Sequence, residues 1–357
     1  MIAYDAWDRE YQENKQAYLE IFDRFMSQMN YENNDEFEKR FADRFNRKHC
    51  VSVASATDAL HFSLLAHGIG PGDEVLVTDF SWISSSACAT LVGATPVFCD
   101  IDLYSYHMSL DSIKRMYNDR VKAIVYPHLF GNMTDTTEIQ AFCREKGILF
   151  IEDAAQSLGS SLHGVRAGTI GDTSVFSFNS NKVISGINGG GIVLTDDENI
   201  AKRIKMIRRH GKDKDFSMLG YNSRMYVLNA EIINLRMQNL ERNQERRQQI
   251  ARKYNEAFAD LPVITQTMTN GLNHNYHKYV VRFEDKDTRK RVKDALQASI
   301  HYETPLSANG MYNSIEHRRD ACANSKIAAD TVLSLPVHAW LTDDEVLSII
   351  EKVRKVL

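Results

Sequence analysis

The strongest constraint in this 357-residue sequence is a rhythm of short, nearly unbroken apolar runs separated by segments of helical periodicity. The runs fall at 51–54, 74–77, 95–100, 121–127, 147–151, 173–178 and 191–195. A strand wetted on one face alternates apolar and polar residues. Runs without that alternation belong to strands covered on both faces, and runs alternating with helices imply a mostly parallel sheet between helical layers. The expectation is an α/β fold with a seven-stranded sheet flanked by helices. Ligands of such sheets collect beyond the carboxyl ends of the strands. Ser55, Trp82, His128 and Asp153 all fall at those ends.

The flanking regions follow other patterns. Residues 5–48 are highly charged, with apolar residues at Tyr18, Ile21, Phe22 and Phe25 and again at Phe37, Phe41 and Phe45. That spacing predicts two amphipathic helices, the second capped by Asn33-Asn34-Asp35. A long helix is expected to begin near Leu228 and to run through Leu240 into the charged stretch 241–253. The domain boundary is placed there, giving 1–240 as a large ligand-binding domain and 241–357 as a small α+β domain. The latter carries a strand at 276–283 and helices at 287–298 and 342–357. Thr342 and Glu345 have the spacing of a capping box.

Composition excludes several classes of function. A net charge of −4 argues against a nucleic-acid binder. No stretch approaches 18 uninterrupted apolar residues, so no membrane span is expected. The five cysteines, at 50, 88, 99, 143 and 322, form no CxxC pair and have no histidine cluster beside them. They suggest neither a metal centre nor a disulfide framework. Met1 to Glu10 lacks the form of a signal peptide. The expectation is a cytoplasmic protein.

Two stretches carry chemistry. Ser55-Ala56-Thr57-Asp58 joins a strand to a helix through small and hydroxyl residues, where free amides and the helix dipole favour an anion. Lys182 lies between Ser177-Phe178 and the glycine run 189–191, on a turn between two buried strands. By itself it reads as a hairpin lysine. If buried, its pKa falls, and the neutral amine can form an imine with an aldehyde such as that of pyridoxal phosphate (PLP). PLP needs three further supports: a phosphate cup, an anion beside its ring nitrogen and a surface against the ring. Asp153 closes an apolar strand and could supply the anion, with Gln156 one turn on. Trp82, at a strand-to-helix junction, could stack on the ring.

Ten stretches in order resemble one family: Phe37-Glu38 with Phe41; Ser55 to Leu60; Gly70 to Val75; Gly93 to Phe98 with Asp100-Ile101-Asp102; Glu152 to Ser157; Gly168 to Asp172; Ser177-Phe178 with Lys182; Arg209-His210-Gly211; Gly220 to Met225; and Leu333 to Pro336. Together they resemble the DegT-type PLP-dependent nucleotide-sugar aminotransferases, of fold type I in the aspartate aminotransferase superfamily. The resemblance implies that Lys182 links to PLP and shuttles the proton, that Asp153 partners the ring nitrogen and that Gln156 lies near the ring hydroxyl. It implies that Trp82 stacks on the ring, that Ala56, Thr57 and Ser177 hold the phosphate, and that Asn222 reaches the phosphate of a neighbouring subunit. A homodimer with shared sites follows. So does transfer of an amino group from L-glutamate to a keto group, C4 before C3, of a nucleotide-linked deoxy sugar for amino-sugar or O-antigen-type polysaccharide synthesis. The chain departs from the family pattern at Ala56, at Ile187-Asn188 in place of Gly-Glu, and at Ser307 in place of histidine. Alternatives are a sugar dehydratase of the same fold, whose members carry histidine at the position of Lys182, and a regulatory homologue without catalysis.

Overall fold

A computed structural model describes residues 7–28, 34–266 and 268–357. Met1 to Ala6, most of the stretch weighed for a signal peptide, and Asn33 of the expected cap lie outside the described residues. The central sheet comprises β1 (His49–Val53), β2 (Glu74–Thr78), β3 (Thr95–Cys99), β4 (Val121–Pro127), β5 (Leu149–Asp153), β6 (Thr173–Ser177), β7 (Gly191–Thr195) and β8 (Arg318–Arg319). Their order is β1-β7-β6-β5-β4-β2-β3-β8. From β6 to β8 every pairing is parallel, while β7 runs antiparallel to both β6 and β1. The seven expected strands are joined by an eighth, two residues long, whose Arg318 and Arg319 pair with Val97 and Phe98. Its composition carries no apolar run, so periodicity could not find it.

Alternate residues of β2 show why the runs are unbroken. Val75 and Val77 pack on one face with Leu60, Phe62 and Leu64 of the helix Ala56–Ala66. Leu76 packs on the other with Ile113 and Ile139 of the helices Leu110–Met116 and Thr137–Lys146. Both faces are dry, so the middle of the strand is apolar on each.

A separate core surrounds the three-stranded antiparallel sheet Ile264–Thr265, Tyr279–Arg282 and Val332–Leu335. The helices Leu240–Ala257 and Asp343–Val356 contribute Ile250, Tyr254, Val346 and Ile350 to it. Thr342 and Glu345 form the expected capping box. The long helix expected from Leu228 is two, Val227–Met237 and Leu240–Ala257. The strand expected at 276–283 is confined to 279–282, because Tyr276 takes a left-handed φ of 47° and His277 donates its amide to the Asn275 side chain. Asn34 sits at the start of the helix Asp35–Phe45 but does not cap it. Its amide reaches the Met225 carbonyl, 2.6 Å away.

The N-terminal helix Trp7–Gln28 braces both regions. The Arg236 guanidinium meets Glu10 at 2.8 Å, donates to Tyr18 Oη at 2.9 Å and reaches the carbonyl and hydroxyl of Ser185 at 2.8 and 2.9 Å. Arg9 forms a two-point ion pair with Glu345 and also donates to the Trp340 carbonyl.

Behind the sheet lie histidines that the fold keeps neutral. Burial, then the nearness of His128, takes His107 down to about 3; burial, then His107, does the same to His274. Unfolded, each takes a proton near pH 6.5. Stability from this source is therefore complete above pH 6.5 and is lost as pH falls toward 3. At pH 5 the pair accounts for a loss of roughly 4 kcal/mol, at about 1.4 kcal/mol per pH unit for each ring. The thermal midpoint, followed by circular dichroism, is expected to fall steeply between pH 6.5 and 4.5, and His107→Asn to flatten that slope. An unchanged slope would count against His107.

Candidate active site

The carboxyl ends of β1, β5 and β6 open on a cavity of about 550 Å³. Ala56, Thr57, Trp82, Asp153, Gln156, Ser177 and Lys182 all line it. One loop brings the lysine in. Residues 178–190 connect β6 to its antiparallel neighbour β7, and the loop folds inward, with the Lys182 amide bonded to the Asn179 carbonyl at 3.0 Å. Asn229 fixes its far side, accepting from the Ile187 amide and donating to the Gly189 carbonyl, each at 2.7 Å. The glycines are required where the loop meets the start of β1's following helix. Gly190 holds a φ of 121°, and a Cβ on Gly191 would lie 2.5 Å from the Ser55 carbonyl oxygen.

That helix, Ala56–Ala66, is capped by Ser55, whose hydroxyl accepts from the Asp58 amide at 3.1 Å. The Ala59 amide bonds to the Ser55 carbonyl. The amides of Ala56 and Thr57 precede the first helical hydrogen bond, so the positive end of the helix faces the cavity. The Thr57 and Ser84 hydroxyls lie 2.7 Å apart. Ser177 sits at the end of β6, accepting from the Asn179 amide at 3.3 Å.

Asp153 is the last residue of β5. Its carboxylate accepts from the Ser85 hydroxyl at 2.8 Å and the Ala155 amide at 3.1 Å. Burial raises its pKa, against these two donors and the charge of Lys182. Lys182 is half-buried as a residue, but protein encloses its amine. Burial lowers the amine to about 8, the charge of Asp153 partly opposing. Gln156 is held at both ends, accepting from the Phe130 amide at 2.9 Å and donating to Tyr302 Oη at 3.2 Å. Trp82 is 58% exposed and flanks the cavity beside Tyr302, with the ring centroids 6.2 Å apart.

One sequence expectation is placed elsewhere. His128 ends its strand but turns to Glu152, 3.0 Å away, and does not line the cavity. Burial would raise Glu152, but His128, Ser174 and the Gly168 amide outweigh it and hold the carboxyl below its usual range. This buried pair anchors the segment 168–171 beneath the site. Asn222 is exposed and lies outside the cavity of its own chain, bridged to Arg209. Its neighbour Ser223 is buried, donating to Asp58 at 2.7 Å and accepting from the Ala54 amide at 3.1 Å.

Sequence reading missed Ser85, Asn229, His277, Lys278, His301 and Tyr302. Ser85 stood in a run of small helical residues, Ser84 to Ser86, and only its hydrogen bond to Asp153 distinguishes it. The other five come from distant segments.

The cavity suits PLP on this structure's own terms. An anion-seeking helix terminus, a buried carboxylate and an amine of lowered pKa face one space large enough for a small ligand. The close approach at Gly191 keeps the lysine loop against that terminus.

Comparison with known proteins agrees. The profile of the DegT/DnrJ/EryC1/StrS aminotransferase family matches residues 9–354. The "Pleiotropic regulatory protein" of Geobacillus stearothermophilus is 30% identical, over 96% of this chain and 95% of its own. The dTDP-3-amino-3,6-dideoxy-alpha-D-galactopyranose transaminase of Aneurinibacillus thermoaerophilus is 31% identical over 90% and 89%. The crystal structure of DesV from S. venezuelae superposes with a TM-score of 0.94 at 27% identity, covering 99% of this chain and 98% of that one. Other neighbours of this fold have been solved with the cofactor as PLP and in its amine form, PMP.

Proposed function

The chain belongs to the DegT/DnrJ/EryC1/StrS aminotransferase family, and on that premise we propose that it moves an amino group from L-glutamate to a ring ketone, at C4 or C3, of a nucleotide-linked deoxy sugar. The product would be an amino sugar for a surface polysaccharide of O-antigen type. That it is a PLP-dependent sugar aminotransferase is common to the family. The observation that carries the reading is the enclosure of the Lys182 amine, at a pKa of about 8, in one cavity with Asp153 and the open terminus of the helix Ala56–Ala66.

When bound, PLP supplies an electron sink that weakens bonds at the carbon carrying the amino group. The chain's residues do the rest. The amides of Ala56 and Thr57, with the Thr57 and Ser177 hydroxyls, would hold the phosphate. The Asp153 carboxylate would partner the ring nitrogen and favour its protonated form. The Gln156 side chain, fixed by Phe130 and Tyr302, would orient the ring hydroxyl. The Trp82 indole would stack on the ring. The Lys182 Nζ takes a proton from the donor carbon and returns one to the sugar side, a role suited to an amine that is half-neutral near pH 8.

Asn222 is available to a second copy. It is exposed beside the exposed rings of Tyr221 and Tyr226, and Ser223 anchors its segment to the helix at the phosphate end. A homodimer acting in the cytoplasm accommodates both this and five buried free thiols. The lysine weighs against a dehydratase, and Lys182 with Asp153 weighs against a homologue that has lost catalysis, although a relative is named as a regulatory protein.

The test is a panel of nucleotide-linked 3-keto and 4-keto sugars with L-glutamate, read by mass spectrometry and by the position of the new amine in the product. Amination of one ketone is expected. No amination of any nucleotide sugar would overturn the substrate class.

A further inference from the structure

Any amino-acid donor brings a carboxylate attached to the carbon that reacts. The cavity must therefore hold an anion close to Lys182 without spending Lys182 on it. Among the described residues that line the cavity, Asp153, Lys182 and Lys278 are the ones with formal charge, and none is an arginine. His277 and His301 also line it but are held neutral. Burial, then Lys182 and Lys278, drives His277 well below its usual value; burial, then Lys278 and Lys182, takes His301 to about 3. Both rings thus feel both amines, so the two lysines flank one part of the cavity.

Resting on the aminotransferase reading, we propose that Lys278 anchors the carboxylate of the amino donor. Lys278 is 5% exposed, whereas Trp82 and Ile187, which also line the cavity, are 58% and 61% exposed. The lysine belongs to the interior, beside the reacting carbon, and the diphosphate of a nucleotide sugar, a full sugar ring from its ketone, belongs nearer the mouth. The backbone presents the side chain rigidly. The Lys278 amide is bonded to the Phe130 carbonyl at 3.2 Å, and the strand Tyr279–Arg282 begins at the next residue. Phe130 in turn donates its amide to Gln156, so the anion anchor and the ring-orienting glutamine share one support. His301, its Nδ1 2.9 Å from Ser334 Oγ, and the neutral Tyr302 add uncharged polar groups around the anion.

The experiment uses the PLP-loaded protein with Lys278→Met, Lys278→Gln and Lys278→Arg. Glutarate, a dicarboxylate that cannot react, is titrated by calorimetry. dTDP serves as the probe for the diphosphate, and L-glutamate turnover of the bound cofactor is followed by absorbance. Both neutral variants are expected to weaken glutarate about 10- to 100-fold, the loss of one charge-assisted hydrogen bond, and to raise the KM for L-glutamate similarly. They should leave kcat and dTDP binding nearly unchanged, and Lys278→Arg should recover most of the affinity. A purely structural lysine would not split glutamate from dTDP in this way. Unchanged glutarate affinity in the neutral variants overturns the proposal, as does a loss confined to dTDP. If wild-type protein binds glutarate through Lys278 yet no amino acid converts its cofactor, the anchor stands and the aminotransferase reading falls. If Lys278→Met does not fold, the Gln and Arg variants carry the same comparison.

Discussion

Lys182→Ala is expected to lower transamination by about 10⁴-fold or more, because one side chain supplies both the covalent attachment and the proton carrier. Arginine at the same place should do no better. It keeps the charge, but it cannot lose its proton near neutrality. The amine of Lys182 can, since burial has brought it to about 8. Activity alone would not separate this role from a structural one, so the attachment is read directly. Borohydride reduction of the PLP-loaded wild type should add the cofactor's mass to the peptide containing Lys182, and the alanine variant should show neither that mass nor the visible absorbance. A labelled peptide from any other part of the chain would remove Lys182 from the mechanism.

Asp153→Asn should cost on the order of 10³-fold in turnover, because an uncharged amide no longer favours a protonated ring nitrogen. The variant keeps the shape of the side chain and can still accept from Ser85. The loss is therefore one of charge, not of packing. A second effect has a definite sign. PLP attaches to the neutral amine, so the rate of attachment to the wild type should rise with pH and level off above about 8. Asp153 is the charge that raises the Lys182 pKa against burial. Removing it moves the midpoint of that profile to lower pH. Stopped-flow absorbance across pH 6 to 9 measures it, and a midpoint that stays put or rises would show that the two groups are not coupled.

How much of this was legible in the sequence depends on what each residue answers to. Asp153, Trp82, Ala56, Thr57 and Ser177 sit where strand ends meet loops, and apolar runs mark strand ends well. They and Lys182 gather in one cavity because a sheet aligns those ends. His128 obeyed the same rule for its backbone and broke it for its side chain, because a buried Glu152 behind the strand is a stronger partner than an open cavity. The break between Met237 and Leu240 is marked by neither glycine nor proline, so the pattern ran through it. Lys278 and Tyr302 looked like parts of a strand and of a loop. Their place at the site is fixed by segments more than a hundred residues away in the chain, such as Gln156, 146 residues from Tyr302. Periodicity reports which face of an element is dry, not which other element covers it.

The brace formed by the N-terminal helix has a consequence for the order in which the protein is made. Glu10 leaves the ribosome before Arg236, which carries its hold to Ser185 in the lysine loop, and Arg236 before Glu345. The Arg9–Glu345 contact spans 336 residues of chain. Until Arg236 and Glu345 emerge, Glu10, Tyr18 and Arg9 of the first helix lack these contacts. The lysine loop gains its outer support only after Arg236 emerges, and the helix gains its hold on Glu345 only after that. A nascent chain halted before residue 236 should therefore hold a loosely braced Lys182 loop, and one halted between 236 and 345 a braced loop whose first helix lacks its hold on Glu345.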